Sequence, residues 1–178
     1  MKLILARHGE SEANVIHRFG LDDVKLTLKG IEQAKTVGKE LKEKYKIDMV
    51  FCSPFKRCVE TLEAILIEYP IDGPIFMSKL IQERDFGEYI GMETQLVDWE
   101  EMDRDNKIND EMGVESLANL GKRINLFLED LKLEDKNSTI LVVSHREAIR
   151  MMISKITGKN FEETEARNAE IMEFDYSK

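Results

Sequence analysis

The sequence predicts a single α/β domain, a three-layer sandwich in which a mostly parallel central sheet carries helices on both faces. Short runs rich in Val, Ile and Leu have the continuous apolar character of buried parallel strands. Segments with the spacing of amphipathic helices alternate with these runs. At 178 residues the chain suits one well-buried core and is short for two domains. Ligands are expected at the carboxyl ends of the strands.

Three apolar runs predict the strands of the sheet. They are residues 2–6, 49–52 and 139–144. The Pro and Gly residues within 69–74 break regular structure and predict a loop. The polar stretch 98–113 predicts a mobile flap. We therefore expect one domain over residues 1–178, with a flap or lid around residues 85–115.

Four segments with apolar residues at helical spacing predict the helices that cover the sheet. Thr27 caps the first, and Ser53 caps the second, with Pro54 at its first helical position. Ser116 caps the third, and the fourth follows His145. Helices that alternate with strands in this way indicate a sheet covered on both faces.

The net charge and the cysteines narrow the classes of function. A formal net charge of -9 repels phosphate backbones and anionic lipids, so we expect neither a nucleic-acid nor a membrane partner. The apolar start of the chain is too short for a signal peptide. Cys52 and Cys58 lack metal-ligand spacing and form no disulfide framework. A cytoplasmic protein is therefore expected.

The first predicted strand ends in Arg7-His8-Gly9, which suits phosphoryl chemistry. A neutral imidazole is a competent nucleophile, and an adjacent guanidinium disfavours its protonation and holds phosphate oxygens. Glycine permits close backbone approach. The alternative is an ordinary histidine in a turn, with Arg7 in a salt bridge to Glu10.

Two further cationic or titratable residues follow predicted strands. Arg57 lies in the first turn of a helix, whose free amides favour anions. His145 lies at another junction between a strand and a helix. A solvated surface arginine is the alternative for Arg57. Because strand ends meet at one edge of a parallel sheet, both residues are candidates for the site of His8.

The segment 80–91 joins carboxylates, aromatic residues and two glycines in irregular chain, and Glu83 is its candidate acid. In phosphoryl transfer the leaving oxygen needs a proton, and the attacking water then needs a base. One carboxyl group can do both in turn. A polar loop with solvated charges is the alternative.

Taken together, these segments resemble the histidine phosphatase superfamily, the phosphoglycerate-mutase-like group, through nearly the whole chain. The matching motifs, in order, are R-H-G-E-[ST]-x-x-N at 7–14, L-T-x-x-G-x-x-Q-A at 26–34, S-P-x-x-R at 53–57, L-x-E-x-x-F-G-x-x-x-G at 81–91 with Ile81 in place of leucine, G-x-E-S at 113–116 and V-V-S-H at 142–145.

The resemblance implies a metal-independent phosphatase without cofactors, acting on a small phosphorylated substrate. His8 would become phosphorylated while Arg7, Arg57 and His145 neutralise the phosphoryl oxygens. Glu83 would protonate the leaving oxygen and then activate water. Ser11 and Asn14 would add hydrogen bonds around the phosphate.

The chain departs from the family pattern beside its second histidine, where Arg146 replaces the usual glycine. Arg146 either grips a second anionic group of the substrate or folds back onto Glu147 or Glu10. Gly20 follows a short loop that is a further candidate for substrate contact, with a solvated loop as the alternative.

Two other functions stay open at this point. A phosphoglycerate mutase would return the phosphoryl group to a bound intermediate, but such mutases are generally longer and carry Arg-His-Tyr where this chain has Arg84-Asp85-Phe86. A non-catalytic phosphoryl-binding protein, with Arg146 blocking turnover, is the second. The sequence leaves the substrate undecided and is compatible with a homodimer.

Overall fold

The computed structural model of the protein describes residues 1–20, 22–103 and 110–176. In these ranges five strands form one sheet in the order β3-β2-β4-β1-β5. The strands are β1 (Lys2–Arg7), β2 (Met49–Cys52), β3 (Ile75–Met77), β4 (Thr139–Ser144) and β5 (Ile171–Asp175). All neighbouring pairs are parallel except β5 with β1, which is antiparallel. The predicted mostly parallel sheet is confirmed.

Helices flank the sheet, and a glycine or a side-chain cap sets an end of several of them. They are α1 (Glu12–Val15), α2 (Leu28–Lys44), α3 (Lys56–Glu68), α4 (Trp99–Asp103), α5 (Leu117–Leu131) and α6 (Arg146–Thr157). Thr27 Oγ1 accepts from Gly30 N at 3.0 Å and starts α2, as predicted. Ser116 Oγ accepts from Asn119 N at 3.1 Å and starts α5. Gly158, at φ 75°, ends α6.

Alternate residues of the central strands feed two separate cores, one on each face of the sheet. Leu3 and Leu5 of β1 pack in the core that also contains Leu120 of α5 and Ile149 of α6. Ile4 and its same-face neighbours pack in the second core, with residues of α2 and α3. Successive side chains of a strand point to opposite faces, so both faces are covered and the sandwich has three layers.

The sequence missed two strands, and both lie at the edges of the sheet. Strand β3 has only three residues, and all of them are exposed. In β5, the acidic Glu173 and Asp175 interrupt the apolar residues. Edge strands pack on fewer neighbours, so they lack the continuous apolar run that marks a buried strand. The predicted loop at 69–74 is confirmed.

The predicted cap of the second helix is wrong. Helix α3 begins at Lys56 and Phe55 is its N-cap. Ser53 lies before the helix, and its Oγ is 2.7 Å from His145 Nε2. A serine and a proline before an apolar run signal a helix start, but here the serine hydroxyl bonds a histidine from another strand end.

Part of the predicted flap lies outside the described residues, which omit 104–109. The helix α4 packs through Met102, which is 2% exposed, in a cluster with Phe19, Phe86 and Val114. The mobility of this segment stays a prediction. No helix within the described ranges has the length and apolar character needed to cross a membrane.

The loop that carries His8 packs directly against the start of α2. A Cβ on Gly30 would overlap the carbonyl oxygen of Glu10, and a Cβ on Gly9 would overlap that of Gly30. Glu10 N also donates to Gln33 Oε1 at 2.8 Å. Two glycines therefore allow the close backbone contact that holds this loop against the helix.

We expect Gly30→Ala to lower the free energy of unfolding by about 1–3 kcal/mol, because its Cβ must displace backbone atoms. Gly121→Ala in α5 is the matched control, since a Cβ there first meets the flexible end of Lys155 at 3.5 Å. The control is expected to be neutral or to stabilise by up to about 1 kcal/mol. Urea unfolding followed by circular dichroism measures both, and equal losses would contradict the close contact at Gly30.

Candidate active site

Two histidines meet at the carboxyl ends of β1 and β4. In the parallel pairing of these strands Arg7 lies opposite Ser144, and His8 N donates to the carbonyl oxygen of Ser144 at 3.0 Å. The rings of His8 and His145 have centroids 5.3 Å apart. Both side chains are buried. The structure therefore brings together the two junction histidines of the sequence.

His8 is held in one tautomer. Its Nδ1 is 2.7 Å from the carbonyl oxygen of Gly9. A carbonyl oxygen can only accept, so Nδ1 carries the proton and Nε2 keeps its lone pair. Burial lowers the pKa of His8 well below its usual value, and Arg57 and Arg7 lower it further. A neutral imidazole with a free Nε2 is the form that a nucleophile requires.

Hydrogen bonds from distant parts of the chain fix the loop around His8. Gly9 N donates to Thr61 Oγ1 at 3.1 Å. Asn168 Nδ2 lies 3.1 Å from the carbonyl oxygen of His8 and 3.3 Å from that of Gly9. Sequence reasoning missed Thr61 and Asn168, because neither lies in a motif or at a predicted strand end. Only their contacts reveal that they position the loop of His8.

Two arginines bring positive charge to His8. Arg7 Nη1 donates to the carbonyl oxygen of Ala166 at 2.8 Å, whereas its Nε is buried without a hydrogen-bond partner among the described residues. Burial lowers the pKa of Arg7 to about 10, and Arg146 and Arg57 add to this effect. Arg57 is 5% exposed, in the first turn of α3. Such cations, with an unused buried donor, suit an anion such as a phosphoryl group.

The salt bridge from Arg7 to Glu10, part of the turn alternative, is wrong. Glu10 Oε2 is 2.7 Å from Lys29 Nζ, and Glu10 Oε1 accepts from Thr27 Oγ1 at 3.0 Å. Arg7 donates to a carbonyl oxygen instead of to this carboxylate. The guanidinium of Arg7 therefore lines the cavity rather than closing a local salt bridge.

His145 is oriented by side chains that begin or precede α3. Its Nε2 lies 2.7 Å from Ser53 Oγ and 3.4 Å from Cys58 Sγ. The Phe55 ring packs edge-on at 5.1 Å between centroids. Burial lowers the pKa of His145 well below its usual value, and Arg57 and His8 lower it further. The lowered pKa favours the neutral form of the His145 imidazole near pH 7.

Glu83 lies on the same cavity as His8. Its Oε1 accepts from the backbone N–H groups of Arg84 and Glu147, each at 3.0 Å. Burial raises the pKa of Glu83, and the neighbouring Glu147 raises it further, while Arg57 opposes the shift. A carboxyl group with a raised pKa can hold the proton that a leaving oxygen needs.

Arg123 fixes the segment that carries Glu83. Its guanidinium makes a bidentate pair with the Glu115 carboxylate at 2.7 and 2.8 Å. It also donates to the carbonyl oxygens of Leu80, Gln82 and Glu83 at 2.8 to 3.0 Å. One arginine on α5 thus ties an irregular segment to a rigid helix. The sequence pattern G-x-E-S contained Glu115 but gave no role to Arg123.

A buried acid lies beneath Glu83. Glu147 is 1% exposed, and its carboxylate accepts from Arg150 at 3.0 and 3.1 Å and from Arg146 at 2.8 Å. Of the alternatives for Arg146, the fold-back onto Glu10 is wrong and the bond to Glu147 is present. This bond leaves the substrate-binding alternative open, because Arg146 also lines the cavity.

The remaining predicted substrate residues, Ser11, Asn14 and Gly20, line the same cavity of about 940 Å³. Ser11 N and Oγ each donate to Asn14 Oδ1 at 3.0 Å, in the capping box of α1. Asn168 Nδ2 donates to the same oxygen at 3.1 Å. Gly20 packs on Ala13, whose Cβ would lie 3.0 Å from an added Cβ. Their hydrogen bonds to a phosphate stay a prediction.

An aromatic wall, which the sequence did not predict, faces the charged residues. We use this name for Phe19, Phe86 and Trp99, which all line the cavity. The centroid of the Phe19 ring lies 4.5 Å from that of Phe86 and 5.4 Å from that of Trp99. The cavity therefore joins a cationic floor to an apolar side that can pack against an organic group.

The sequence matches the family model of the histidine phosphatase superfamily (branch 1) over residues 3–178. The chain is 33% identical over 165 residues to phosphoserine phosphatase 1 of Hydrogenobacter thermophilus, covering 89% of this chain and 77% of that protein. It is 32% identical over 176 residues to a 2,3-bisphosphoglycerate-dependent phosphoglycerate mutase of Mesorhizobium japonicum, covering 90% and 84%.

Solved structures resemble the whole fold. A phosphoserine phosphatase of Entamoeba histolytica, in complex with 3-phosphoglyceric acid, superposes with a TM-score of 0.80 at 28% identity, over 97% of this chain and 89% of that one. An Escherichia coli protein described as a putative alpha-ribazole-5'-P phosphatase gives a TM-score of 0.79 at 23% identity, over 97% and 89%. This second likeness concerns the fold alone.

We predict that His8 is the neutral Nδ1–H tautomer and stays so at pH 6.5, the ordinary histidine pKa. Burial and two arginines disfavour its protonation. Long-range ¹H–¹⁵N spectra of the imidazoles measure tautomer and charge, with His8→Asn assigning the signals. A protonation midpoint near 6.5 for His8 would contradict the buried, neutral state.

Proposed function

This chain belongs to the histidine phosphatase superfamily, and we propose that it is a metal-independent phosphatase that hydrolyses a phosphomonoester through a phosphohistidine on His8. One observation carries the proposal: His8, whose Nδ1 is bonded to the Gly9 carbonyl oxygen and whose Nε2 therefore keeps its lone pair, lines one cavity with Arg7 and Arg57. A nucleophile, cations for the phosphoryl oxygens and a carboxyl group with a raised pKa lie on one surface.

In the first step Nε2 of His8 attacks phosphorus, and the bond from phosphorus to the ester oxygen breaks. Glu83 gives its proton to that leaving oxygen. Arg7 and Arg57 neutralise the charge that develops on the other oxygens. His145 does not line the cavity and lies behind His8, with its Nε2 at Ser53 and its ring centroid 5.3 Å from that of His8. The raised pKa of Glu83 supports this step, because the acid must still hold its proton when substrate arrives.

In the second step a water molecule hydrolyses the phosphohistidine. Ionised Glu83 takes a proton from the water, whose oxygen attacks phosphorus as the bond to Nε2 breaks. Inorganic phosphate leaves, and His8 and Glu83 return to their starting protonation states. The bond from His8 Nδ1 to the Gly9 carbonyl keeps the ring in place through both steps.

A phosphoglycerate mutase is the second candidate, since such mutases are among the relatives at 32% identity. Arg84, the first residue of the segment that differs from the mutase pattern, is 2% exposed. It bonds Asp103 and the carbonyl oxygens of Glu115 and Met102. Arg84 is thus held by structural bonds and is the residue that this chain shares with the Arg-His-Tyr of the mutases. The presence of Asp85 and Phe86 in place of the mutase His and Tyr favours hydrolysis.

The remaining sequence expectations stay predictions. They are a small phosphorylated substrate, no nucleic-acid or membrane partner, a cytoplasmic location and a homodimer. A non-catalytic phosphoryl-binding protein is disfavoured, because His8, Arg57 and Glu83 converge on one cavity with pKa shifts of His8 and Glu83 that suit nucleophile and acid.

We expect wild-type protein to hydrolyse an aryl phosphate and an alkyl phosphate in excess chelator, and His8→Ala to hydrolyse neither. Glu83→Gln should lower kcat/KM for the alkyl phosphate by about 10²- to 10⁴-fold, because its leaving oxygen needs a proton. The aryl phosphate should lose far less in kcat/KM and show a burst of aryl alcohol equal to the enzyme, since only the second step then lacks its base.

Glu88→Gln is the control for this experiment, because Glu88 is exposed and does not line the cavity. It should leave both activities unchanged. Wild-type protein that transfers phosphate only in the presence of a bisphosphorylated primer would overturn hydrolysis in favour of the mutase. Binding of phosphate without turnover of any ester would favour a non-catalytic protein.

We expect Glu147→Gln to move the alkaline limb of kcat/KM for the alkyl phosphate to lower pH. The Glu147 charge raises the pKa of Glu83, so its removal lets Glu83 lose its proton at lower pH. Glutamine keeps the backbone N–H bond to Glu83 and an acceptor for Arg150. A series of rates against pH for both enzymes measures the shift, and an unchanged profile would show that Glu147 serves structure alone.

A further inference from the structure

We propose that Arg146 determines substrate specificity by binding a second anionic group, a carboxylate, on the phosphomonoester whose phosphate is transferred to His8. The inference rests on the proposed function. It concerns a residue at which this chain departs from the pattern of its family. The candidate substrates are thus small phosphorylated acids rather than neutral phosphate esters.

Arg146 lies beside the proposed phosphoryl site. It is the first residue of α6 and directly follows His145, so it lies close to the phosphoryl site. Its side chain lines the cavity and is 41% exposed, whereas that of Arg57 is buried against the floor. A substrate can therefore reach Arg146 while its phosphate lies on the floor of the same cavity.

The charge around Arg146 is not balanced. Two guanidinium groups, those of Arg146 and Arg150, share the single carboxylate of Glu147. Arg150 is fully used in structure, since it also donates to the carbonyl oxygens of Thr164 and Phe161. Among the described residues no second carboxylate pairs with Arg146, so the group of Arg146, Glu147 and Arg150 has two guanidinium groups for one carboxylate.

Most hydrogen-bond donors of the Arg146 guanidinium are also unused. Its Nη1 donates to Glu147 Oε1 at 2.8 Å. Its other nitrogens make no hydrogen bond within the ranges that the structure describes. A guanidinium donates in a flat fork whose geometry matches the two oxygens of a carboxylate. The unused donors of Arg146 therefore suit a carboxylate.

Arg146 is also held in place before any substrate arrives. Its guanidinium lies 5.8 Å from the centroid of the Trp99 ring, and Trp99 packs in the aromatic wall against Phe19 and Phe86. Contact with Trp99 on one side and with Glu147 on another restricts the long side chain. Such pre-ordering reduces the entropy lost on binding.

The experiment uses a matched pair of substrates, 3-phosphoglycerate and glycerol 3-phosphate, which differ in a carboxylate against a hydroxymethyl group. We expect wild-type kcat/KM to favour 3-phosphoglycerate. Arg146→Gln should lower that value by about 10- to 100-fold, as for a lost hydrogen bond to a charged group. The value for glycerol 3-phosphate should change less than about threefold. Arg146→Lys should restore part of the preference, since it keeps the charge without the fork.

Arg167→Gln is the control, because it removes the same charge from a side chain that is 81% exposed and outside the cavity. It should leave the ratio of the two kcat/KM values unchanged. Equal losses for both substrates in Arg146→Gln would overturn the inference and show that Arg146 binds the transferred phosphate or supports the fold. No loss for either would show that Arg146 serves only its pair with Glu147.

A binding measurement separates this inference from the proposed reaction. The inert His8→Ala variant is titrated with each compound by calorimetry, with and without Arg146→Gln. Tighter binding of 3-phosphoglycerate that depends on Arg146 supports the carboxylate site even if the wild-type protein hydrolyses neither compound. Equal binding of both compounds overturns the site even if hydrolysis is observed.

Discussion

The parallel pairing of β1 with β4 is the constraint on which the site depends. It places Arg7 opposite Ser144, so both strands end at the same level. The next residue of each strand is a histidine, and the rings of His8 and His145 therefore lie close together. A shift of one residue would turn every side chain of β1 to the other face of the sheet. The two apolar cores fix this register, because each takes alternate residues of the same strands. Packing far from the chemistry thus determines the distance between the two rings.

That arrangement buries charged and titratable groups, which costs desolvation free energy. Arg7 and the imidazoles of His8 and His145 lie in one buried region beside Arg57, so desolvation and the neighbouring positive charge lower the pKa values of these three groups. The lowered pKa values favour the neutral form of both imidazoles, and arginine side chains in this region suit an anion. Burial shifts the pKa of Glu83 in the opposite direction, upwards, which favours its protonated form. One electrostatic environment therefore prepares a nucleophile, an anion site and an acid, as a phosphoryl-transfer reaction requires.

The sequence predicted the centre of the fold better than its edges, for a physical reason. The bounds of β2 and β4 agree with the predicted ones, because strands buried on both faces are continuous apolar runs. The edge strands β3 and β5 have exposed or acidic residues and gave no such signal. Ser53 does precede a helix, as its sequence pattern indicates, but its hydroxyl bonds His145 instead of capping that helix. Asn168 gave no signal at all, since its role arises only from the contact it makes with the loop of His8.

The sequence by itself determined which side chains stand at the strand ends, and the motifs around His8, Arg57 and Glu83 were enough to indicate their chemistry. Only the tertiary structure decided the tautomer of His8, the raised pKa of Glu83 and the pairing of Arg146 with Glu147. These properties depend on burial and on distances of a few ångströms between groups that lie far apart in the chain. Electrostatic energies change steeply with burial and with distance, and a sequence pattern contains neither quantity.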